Sequence, residues 1–399
     1  MSVTVNPMHE KNFAEFFAGI GLMRLGLERS GWRIVFANDI DESKWRMYRD
    51  HFGDDGEFVL GDIHAIEAAT IPQIALATAS FPCNDLSLAG ARKGLAGEQS
   101  SALWGFVEIL TKMDDRRPPV VLLENVTGFL TSHEGNDFRD ALNALNRLGY
   151  AVDAFIIDAV RFVPQSRPRL FVVGTRTVPG SRRNETARFF ESDGRPPALA
   201  DFINWTPEIN WKIRRLPPLP RGSLKLDDKL EDLPLNSPMW WSPERREYLL
   251  NQMSPKHRAE AEAMIQGSST TYGTVFRRVR NGKSMAELRT DGIAGCLRTP
   301  RGGSGRQILI AAGRGRFAVR LLTPRECARL MGADDFEIRV CLNQALFGFG
   351  DAVCVPVIEW IGRNYLNPLW KEEFATALPN ETGASTVRAD PRRSNRPGH

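Results

Sequence analysis

Cys83 and Glu124 are the residues of this chain best suited to covalent work on a substrate. Cys83 lies in Ser80-Phe-Pro-Cys-Asn-Asp-Leu-Ser87, and Glu124-Asn-Val126 begins 41 residues beyond it. A thiolate is a strong nucleophile. A carboxyl that carries or shares a proton hydrogen-bonds a heterocyclic ring nitrogen. Each follows an apolar run, Ile74-Ala-Leu-Ala-Thr-Ala79 and Val120-Val-Leu-Leu123, and each run reads as a short buried strand. In an open parallel sheet ligands bind at the carboxyl ends of the strands, so the two side chains are expected side by side at one rim. A lone cysteine is more often a buried structural residue. Here polar Asn84, Asp85 and Ser87 follow, then a loop with Gly90, Gly94 and Gly97 that could close over a substrate.

Two further groups belong to the same rim. Gln165-Ser-Arg-Pro-Arg169 presents two arginines on one face of an extended segment. They are either a surface pair or one contact to a base carbonyl and one to a phosphate. Phe17-Ala-Gly-Ile-Gly21 follows the first strand and precedes the first helix. Glycines there allow close backbone approach and expose helix N–H groups; the plainer reading is a tight strand–helix turn. The next strands end at Asp39, suited to ribose hydroxyls, and at Asp62, suited to an adenine amino group. The spacing from Gly19 and Gly21 reaches Arg24 where a pyrophosphate loop would have glycine. An adenosine ligand without pyrophosphate is favoured, and S-adenosylmethionine is one.

The elements that must hold these residues alternate. Strands are expected at Phe13–Phe17, Trp32–Asn38, Phe58–Leu60, Ile74–Ala79, Val120–Leu123, Ala151–Asp158 and Arg169–Gly174. Helices are expected at Met23–Ser30, Glu42–His51, Ser101–Met113 and Phe138–Leu148. The fold class is therefore α/β, a doubly wound, mostly parallel, Rossmann-like sheet. Residues 1–175 form the catalytic and cofactor-binding domain in this reading. Residues 176–317, rich in proline and carrying Trp205, Trp211, Trp240 and Trp241, form a smaller irregular domain. The chain returns to the first domain over 318–370, beginning with a strand at Phe317–Leu322. A helix follows from Thr323, with Thr323 and Glu326 as a capping box and Pro324 at its first position. A last helix is expected over Ala352–Arg363, and the polar residues 371–399 are expected to be disordered.

Composition sets the class. The 399 residues are 42% hydrophobic and 25% charged, as in a soluble globular protein. No apolar run in the sequence approaches the ~20 residues of a membrane span. Five cysteines without a CxxC pair indicate neither a disulfide framework nor a metal site, and fit a reducing cytoplasm. Net charge is only +4, but Arg176–Phe317 holds 25 Lys/Arg against 15 Asp/Glu, and Arg277–Arg316 holds 10 against 2. That excess is the footprint of a surface that faces phosphates, or else a merely basic solvated face.

Together the motifs resemble the cytosine-5 DNA methyltransferases of the bacterial modification type, in that family's order and over almost the whole chain. Phe17–Gly21 resembles the cofactor loop, Pro82-Cys83 the nucleophile motif, Glu124-Asn125-Val126 the carboxylate motif and Gln165–Arg169 the arginine motif. Arg320-Leu-Leu-Thr-Pro-Arg-Glu-Cys-Ala-Arg-Leu-Met-Gly332 resembles the penultimate motif and Phe349-Gly-Asp-Ala-Val353 the last. The variable target-recognition region lies between, with Leu297–Gln307 near its end. Asn84, Leu86 and Asp351 stand where the family usually has Gln, Phe and Asn, and Leu22 replaces a common glycine.

The resemblance implies Cys83, Glu124, Arg167 and Arg169 as catalytic residues, with Arg169 on the cytosine O2. It implies S-adenosylmethionine held by Phe17, Ala18, Gly19, Ile20, Gly21, Asp39, Ile40, Asp62, Ile63, Pro82, Leu103, Asp351 and Val353, with no metal. Ser87, Arg298, Arg301 and Arg306 are the expected DNA contacts. The partner would be double-stranded DNA, with no membrane, bound by a monomer in the cytoplasm. The enzyme would work with a cognate restriction or defence nuclease, or alone. An RNA cytosine methyltransferase and a degenerate DNA-binding relative are the alternatives; a recognition region of about 140 residues speaks against the first, and intact Cys83, Glu124 and Arg169 against the second.

Overall fold

Apolar strands that mostly alternate with amphipathic helices build a sheet covered on both sides. In a computed structural model, the described residues are 10–82, 101–176, 192–234, 236–280, 282–299 and 305–374. The strands of the large sheet are β1 (Asn12–Phe16), β2 (Arg33–Asp39), β3 (Phe58–Leu60), β4 (Leu76–Ala79), β5 (Val120–Val126), β6 (Tyr150–Asp158) and β7 (Pro168–Arg176). Their order is β3-β2-β1-β4-β5-β7-β6. Neighbours pair in parallel except β7, which is antiparallel to both β5 and β6. Strand order reverses between β1 and β4, so a crevice opens at their carboxyl ends.

The period-2 alternation of β1 shows how the layers arise. Phe13 joins one apolar cluster and Ala14 and Phe16 join the other. The first cluster contains α1 (Leu22–Arg29) and α2 (Glu42–Phe52). From the end of the chain it gains α8 (Pro324–Leu330), α9 (Leu342–Asp351), α10 (Val355–Ile361) and α11 (Asn367–Glu373). The second contains α3 (Ser101–Met113), α4 (Asn136–Arg147) and α5 (Pro197–Trp205). The α8 capping box forms as its sequence dictates: Thr323 Oγ1 accepts from Glu326 N at 3.1 Å, and Glu326 Oε2 accepts from Thr323 N at 2.8 Å. The stretch Leu342–Glu373 is long and apolar enough to cross a membrane, contrary to the expectation that no run comes close. Its most apolar window is 61% buried inside the protein, so its apolarity serves the core.

The middle of the chain is more regular than its prolines suggest. α6 (Pro243–Asn251) and α7 (Pro255–Gln266) cover one face of a second sheet, built from β8 (Thr271–Arg280), β9 (Lys283–Arg289), β10 (Ile308–Gly313) and β11 (Arg316–Leu321). It is antiparallel, with order β11-β10-β8-β9. Two expectations change. The strand expected to resume the first domain at Phe317–Leu322 is β11, and it closes the small sheet by pairing with β10. Residues 192–230 pack on the large sheet: Leu199, Ile203, Ile209 and Trp211 join its second cluster, and Lys212 N bonds Val152 O at 2.8 Å. The tryptophans therefore divide, Trp211 to the large core and Trp241 to the small one, while Trp205 is exposed. The tail beyond residue 374 lies outside the described residues.

Candidate active site

Glu124 and Arg169 meet because β5 and β7 are antiparallel neighbours, with Val126 in register with Arg169. Arg169 Nε lies 3.1 Å from Glu124 Oε1. Glu124 is 6% exposed. Burial raises its pKa, and the guanidiniums of Arg169 and Arg167 offset this only in part. A carboxyl held in that way keeps its proton to higher pH than an ordinary glutamate. Asn125 ties the same strand end to the neighbouring one: its Nδ2 donates to Phe81 O at 3.2 Å, and its Oδ1 accepts from Val126 N at 2.8 Å. Pro82 follows, lining a cavity of about 330 Å³ together with Glu124 and Arg169. Cys83, Ser87 and the glycine-rich loop lie outside the described residues.

Arg167 is no surface residue and has no free fork. It is 2% exposed. Nη1 donates to Leu297 O at 2.8 Å and approaches Cys296 Sγ at 3.3 Å; Nη2 donates to Gly350 O at 3.1 Å and Ala352 O at 2.6 Å. The expected phosphate or base contact is thus replaced by a staple that joins the arginine motif, the end of the recognition region and the last motif. Gly350 shows how tight the staple is, since a Cβ there would lie 2.6 Å from the Arg298–Thr299 backbone.

At the other end of the cavity the β1–α1 loop is shaped by its backbone. Phe17, with φ 58°, and Gly19 and Gly21, with φ 56° and 81°, occupy the left-handed region. A Cβ on Gly21 would meet Tyr48 and Phe52 below 3 Å. Asp39, at the end of β2, accepts from Gly19 N and from Asp41 N, both at 2.8 Å. Burial raises its pKa, against the pull of Lys44 and the two backbone amides. Phe17, Ala18, Gly19, Asp39, Ile40, Pro82, Asp351 and Val353 all line the cavity, and Ile40 is 68% exposed.

Other expected cofactor residues do not line that cavity. Ile20, Ile63 and Leu103 are buried in the two cores. Gly21 and Asp62 are not among the lining residues, and Asp62 Oδ1 accepts from His64 N at 2.9 Å, capping a short 3-10 turn. Of the expected DNA contacts, Arg298 and Arg306 line a second, narrow cavity with Gly350. Arg306 Nη2 also bonds Asn343 Oδ1 at 2.7 Å. Arg301 lies outside the described residues.

The structure adds residues that the sequence reading missed. Glu15 lines the cavity at 2% exposure, and its Oε2 has no hydrogen-bond partner. Burial raises its pKa well above the ordinary value, and Arg24 offsets this in part. A single carboxylate inside the apolar strand Asn12–Phe16 was the available signal. Lys44 also lines the cavity and bonds Asp351 Oδ2 at 2.8 Å across its mouth. Cys296, from the recognition region, lies against Arg167 and Arg169. Burial would raise its thiol, but the guanidiniums of Arg167, Arg169 and Arg298 outweigh burial and hold it below the usual range. Nothing local in the sequence announces that contact.

The lining is polarised. Asp39, Asp41 and Asp351 surround Lys44 in one part of it, whereas Arg167 and Arg169 flank Glu124 in another. A cationic ligand suits the first part and an electron-rich carbonyl the second. Solved structures share the fold. The methyltransferase Dnmt2 of S. pombe superposes with a TM-score of 0.58 at 18% identity, covering 90% of this chain and 99% of that one. The Entamoeba histolytica methyltransferase EhMeth gives 0.58 at 16%, covering 90% and 99%. The protein thus has the fold of a methyltransferase. More particularly, the chain belongs to the C-5 cytosine-specific DNA methylase family, whose model matches residues 11–367. Type II methyltransferase M.NlaX of Neisseria lactamica is 31% identical over 351 residues, 87% of this chain and 93% of that protein. M.DsaV of Dactylococcopsis salina is 30% identical over 357 residues, 89% and 86% of the two chains. M.HhaI of Haemophilus parahaemolyticus is 28% identical over 358 residues, 88% and 93%.

Proposed function

We propose that this enzyme of the cytosine-5 methylase family acts on a flipped-out cytosine in duplex DNA, with Cys83 as nucleophile and S-adenosylmethionine as donor. The observation that carries the reading is the Glu124–Arg169 pair, 3.1 Å apart, in the same cavity as Pro82, Phe17, Gly19 and Asp39. The donor fits. It is a cation with an adenosyl group, and the lining offers the carboxyl groups of Asp39, Asp41 and Asp351, an orphaned Glu15 oxygen and the exposed face of Ile40. When bound, it supplies an electrophilic methyl group.

The chain's own residues then divide the work. C5 of cytosine is a poor nucleophile, so the Cys83 thiolate adds to C6 and pushes electron density toward C5. Glu124, holding its proton, donates to N3 as the ring accepts that density. Arg169 keeps Glu124 in place and reaches the O2 carbonyl. C5 gains the methyl group. Removal of the C5 proton expels Cys83 and restores the aromatic ring. A stacked base exposes none of these atoms, so the cytosine must leave the duplex. Asp39 serves the ribose. Asp62 serves the adenine amino group through the oxygen its cap does not use. The small sheet and its flanking segments choose the DNA sequence, and Arg298, Arg301 and Arg306 contact the DNA.

A paired nuclease, as the type II names of the relatives suggest, belongs to the same proposal. So do monomeric action and a cytoplasmic setting, the latter supported by free thiols at Cys296, Cys327, Cys341 and Cys354. The test is transfer of tritium from labelled S-adenosylmethionine to duplex DNA and to tRNA, followed by methylome sequencing of a host expressing the chain. Label in DNA as 5-methylcytosine at one motif is expected. Label in tRNA alone would overturn the DNA assignment.

A further inference from the structure

We propose that Arg245, Arg277 and Arg306 form a clamp for a DNA backbone phosphate, built on the ring of Trp241. This rests on reading the chain as a DNA enzyme and adds a binding site to it. The three arginines come from different elements: Arg245 from α6, Arg277 from β8, and Arg306 from the approach to β10. The register explains their meeting. Val275 pairs with Ile308 on the helix-covered face of the small sheet, so two residues further along Arg277 and Arg306 come side by side just past the end of that ladder. Trp241 is 8% exposed in the core beneath. The Arg245 guanidinium carbon lies 3.9 Å from the Trp241 ring centroid, and that of Arg277 lies 5.9 Å from it.

Such a cluster is unfavourable as it stands. Arg245 feels the like charges of Arg277 and Arg306, and none of the three pairs with a carboxylate among the described residues. Nε of Arg277 and Nε of Arg306 are shielded and have no hydrogen-bond partner. Unsatisfied donors and uncompensated like charges cost free energy in the isolated protein. An anion removes both costs. Stacking on an aromatic face holds a guanidinium plane and leaves its edge donors for that anion. The place fits a polyanion. Arg306 lines the narrow cavity shared with Arg298 and Gly350, and Gly350 also lines the main cavity, so one member of the clamp stands next to the seam between the two.

The test uses Arg245→Gln, Arg277→Gln and the double variant of the full chain. Affinity is measured by fluorescence anisotropy across a salt series, for one duplex with the methylated motif and one without it. The double variant should bind both duplexes roughly tenfold more weakly, and its salt slope should fall by about 1 for each phosphate released. Calorimetric affinity for S-adenosylmethionine should stay the same. Should the double variant melt early, the exposed Arg245→Gln variant decides alone. Unchanged affinity and slope would show that the arginines merely pack on Trp241 and would overturn the clamp. Loss confined to the motif duplex, with a relaxed methylated motif, would make them base readers and overturn it too. Wild-type protein that bound neither duplex would fail the DNA reading, and the clamp with it.

Discussion

Glu124 and Arg169 meet at the ends of two hydrogen-bonded strands, close in space because the sheet register puts them there. Arg245 and Arg277 lie over one tryptophan ring, and Arg306 stands beside them from a third segment of the small sheet layer. The first region is buried, with the Glu124 carboxyl held against the Arg169 guanidinium. The second is at the surface, with like charges together. Chemistry needs fixed geometry, and strand ends on a rigid sheet supply it. Recognition of a polyanion needs charge that the protein does not cancel itself. The large sheet should therefore fail in the chemical step when its site residues change, and the small sheet in affinity and sequence choice.

The sharpest way to break that contrast is Cys83→Ala. Methyl transfer should vanish, while calorimetry shows cofactor affinity nearly intact. Wild-type protein should also form a covalent adduct with 5-fluorocytosine DNA, since fluorine blocks the last elimination. Substantial turnover by the alanine variant would remove Cys83 from the mechanism.

Glu124→Gln should lower kcat roughly 100- to 1,000-fold and leave DNA affinity within a small factor. Its pH behaviour sharpens the point. Burial raises the Glu124 pKa, so the protonated form persists above the ordinary carboxylate range and is lost as pH rises through the raised value. The stability linked to this residue has the same sign: fully present below the unfolded pKa, and lost as pH rises through the folded one. Wild-type kcat should fall on the alkaline side because of Glu124, and the Gln variant should lack that limb. An identical limb in both would assign it to another group.

Much of the site was legible because strand-end chemistry is local. Phe17–Gly21, Asp39 and Glu124 each follow an apolar run of fixed period, and the cavity gathers most of them. The failures are also physical. The sequence reading contains no counterpart of α9, whose Gly348 and Gly350 clear space for Ile20 with Met47 and for the Arg298–Thr299 backbone. β11 was given to the wrong sheet because a short strand carries no mark of its partner. The sequence alone puts Arg167 among the ligand contacts, since no local pattern reveals that its acceptors lie 130 and 183 residues away. Cys296 escaped for the same reason.

Arg167 links the two regions, so its loss tests whether they are separable at all. Arg167→Met removes donors to Leu297, Gly350 and Ala352 and leaves those carbonyls buried. Urea unfolding should show a loss of about 3 kcal/mol. Cofactor affinity and DNA affinity should fall together, because one staple holds both the last motif and the end of the recognition region. A variant as stable as wild type would mean that these segments are positioned independently.

The smallest expected effect, at Asp39, separates ligand binding from loop building. Its carboxylate accepts from Gly19 N and Asp41 N and still has lone pairs toward the cavity it lines. If it also takes the ribose hydroxyls, Asp39→Ala should weaken S-adenosylmethionine binding by about 1–3 kcal/mol. A loosened Gly19 loop would weaken binding as well, so affinity alone does not isolate the ribose contact. An analogue lacking both ribose hydroxyls does. Wild type should bind it more weakly than the parent ligand, whereas Asp39→Ala should bind the two nearly alike, because the group that discriminates is gone. Calorimetry of the four combinations gives the coupling directly. An equal penalty in both proteins would confine Asp39 to holding the loop and move the ribose contact elsewhere in the cavity.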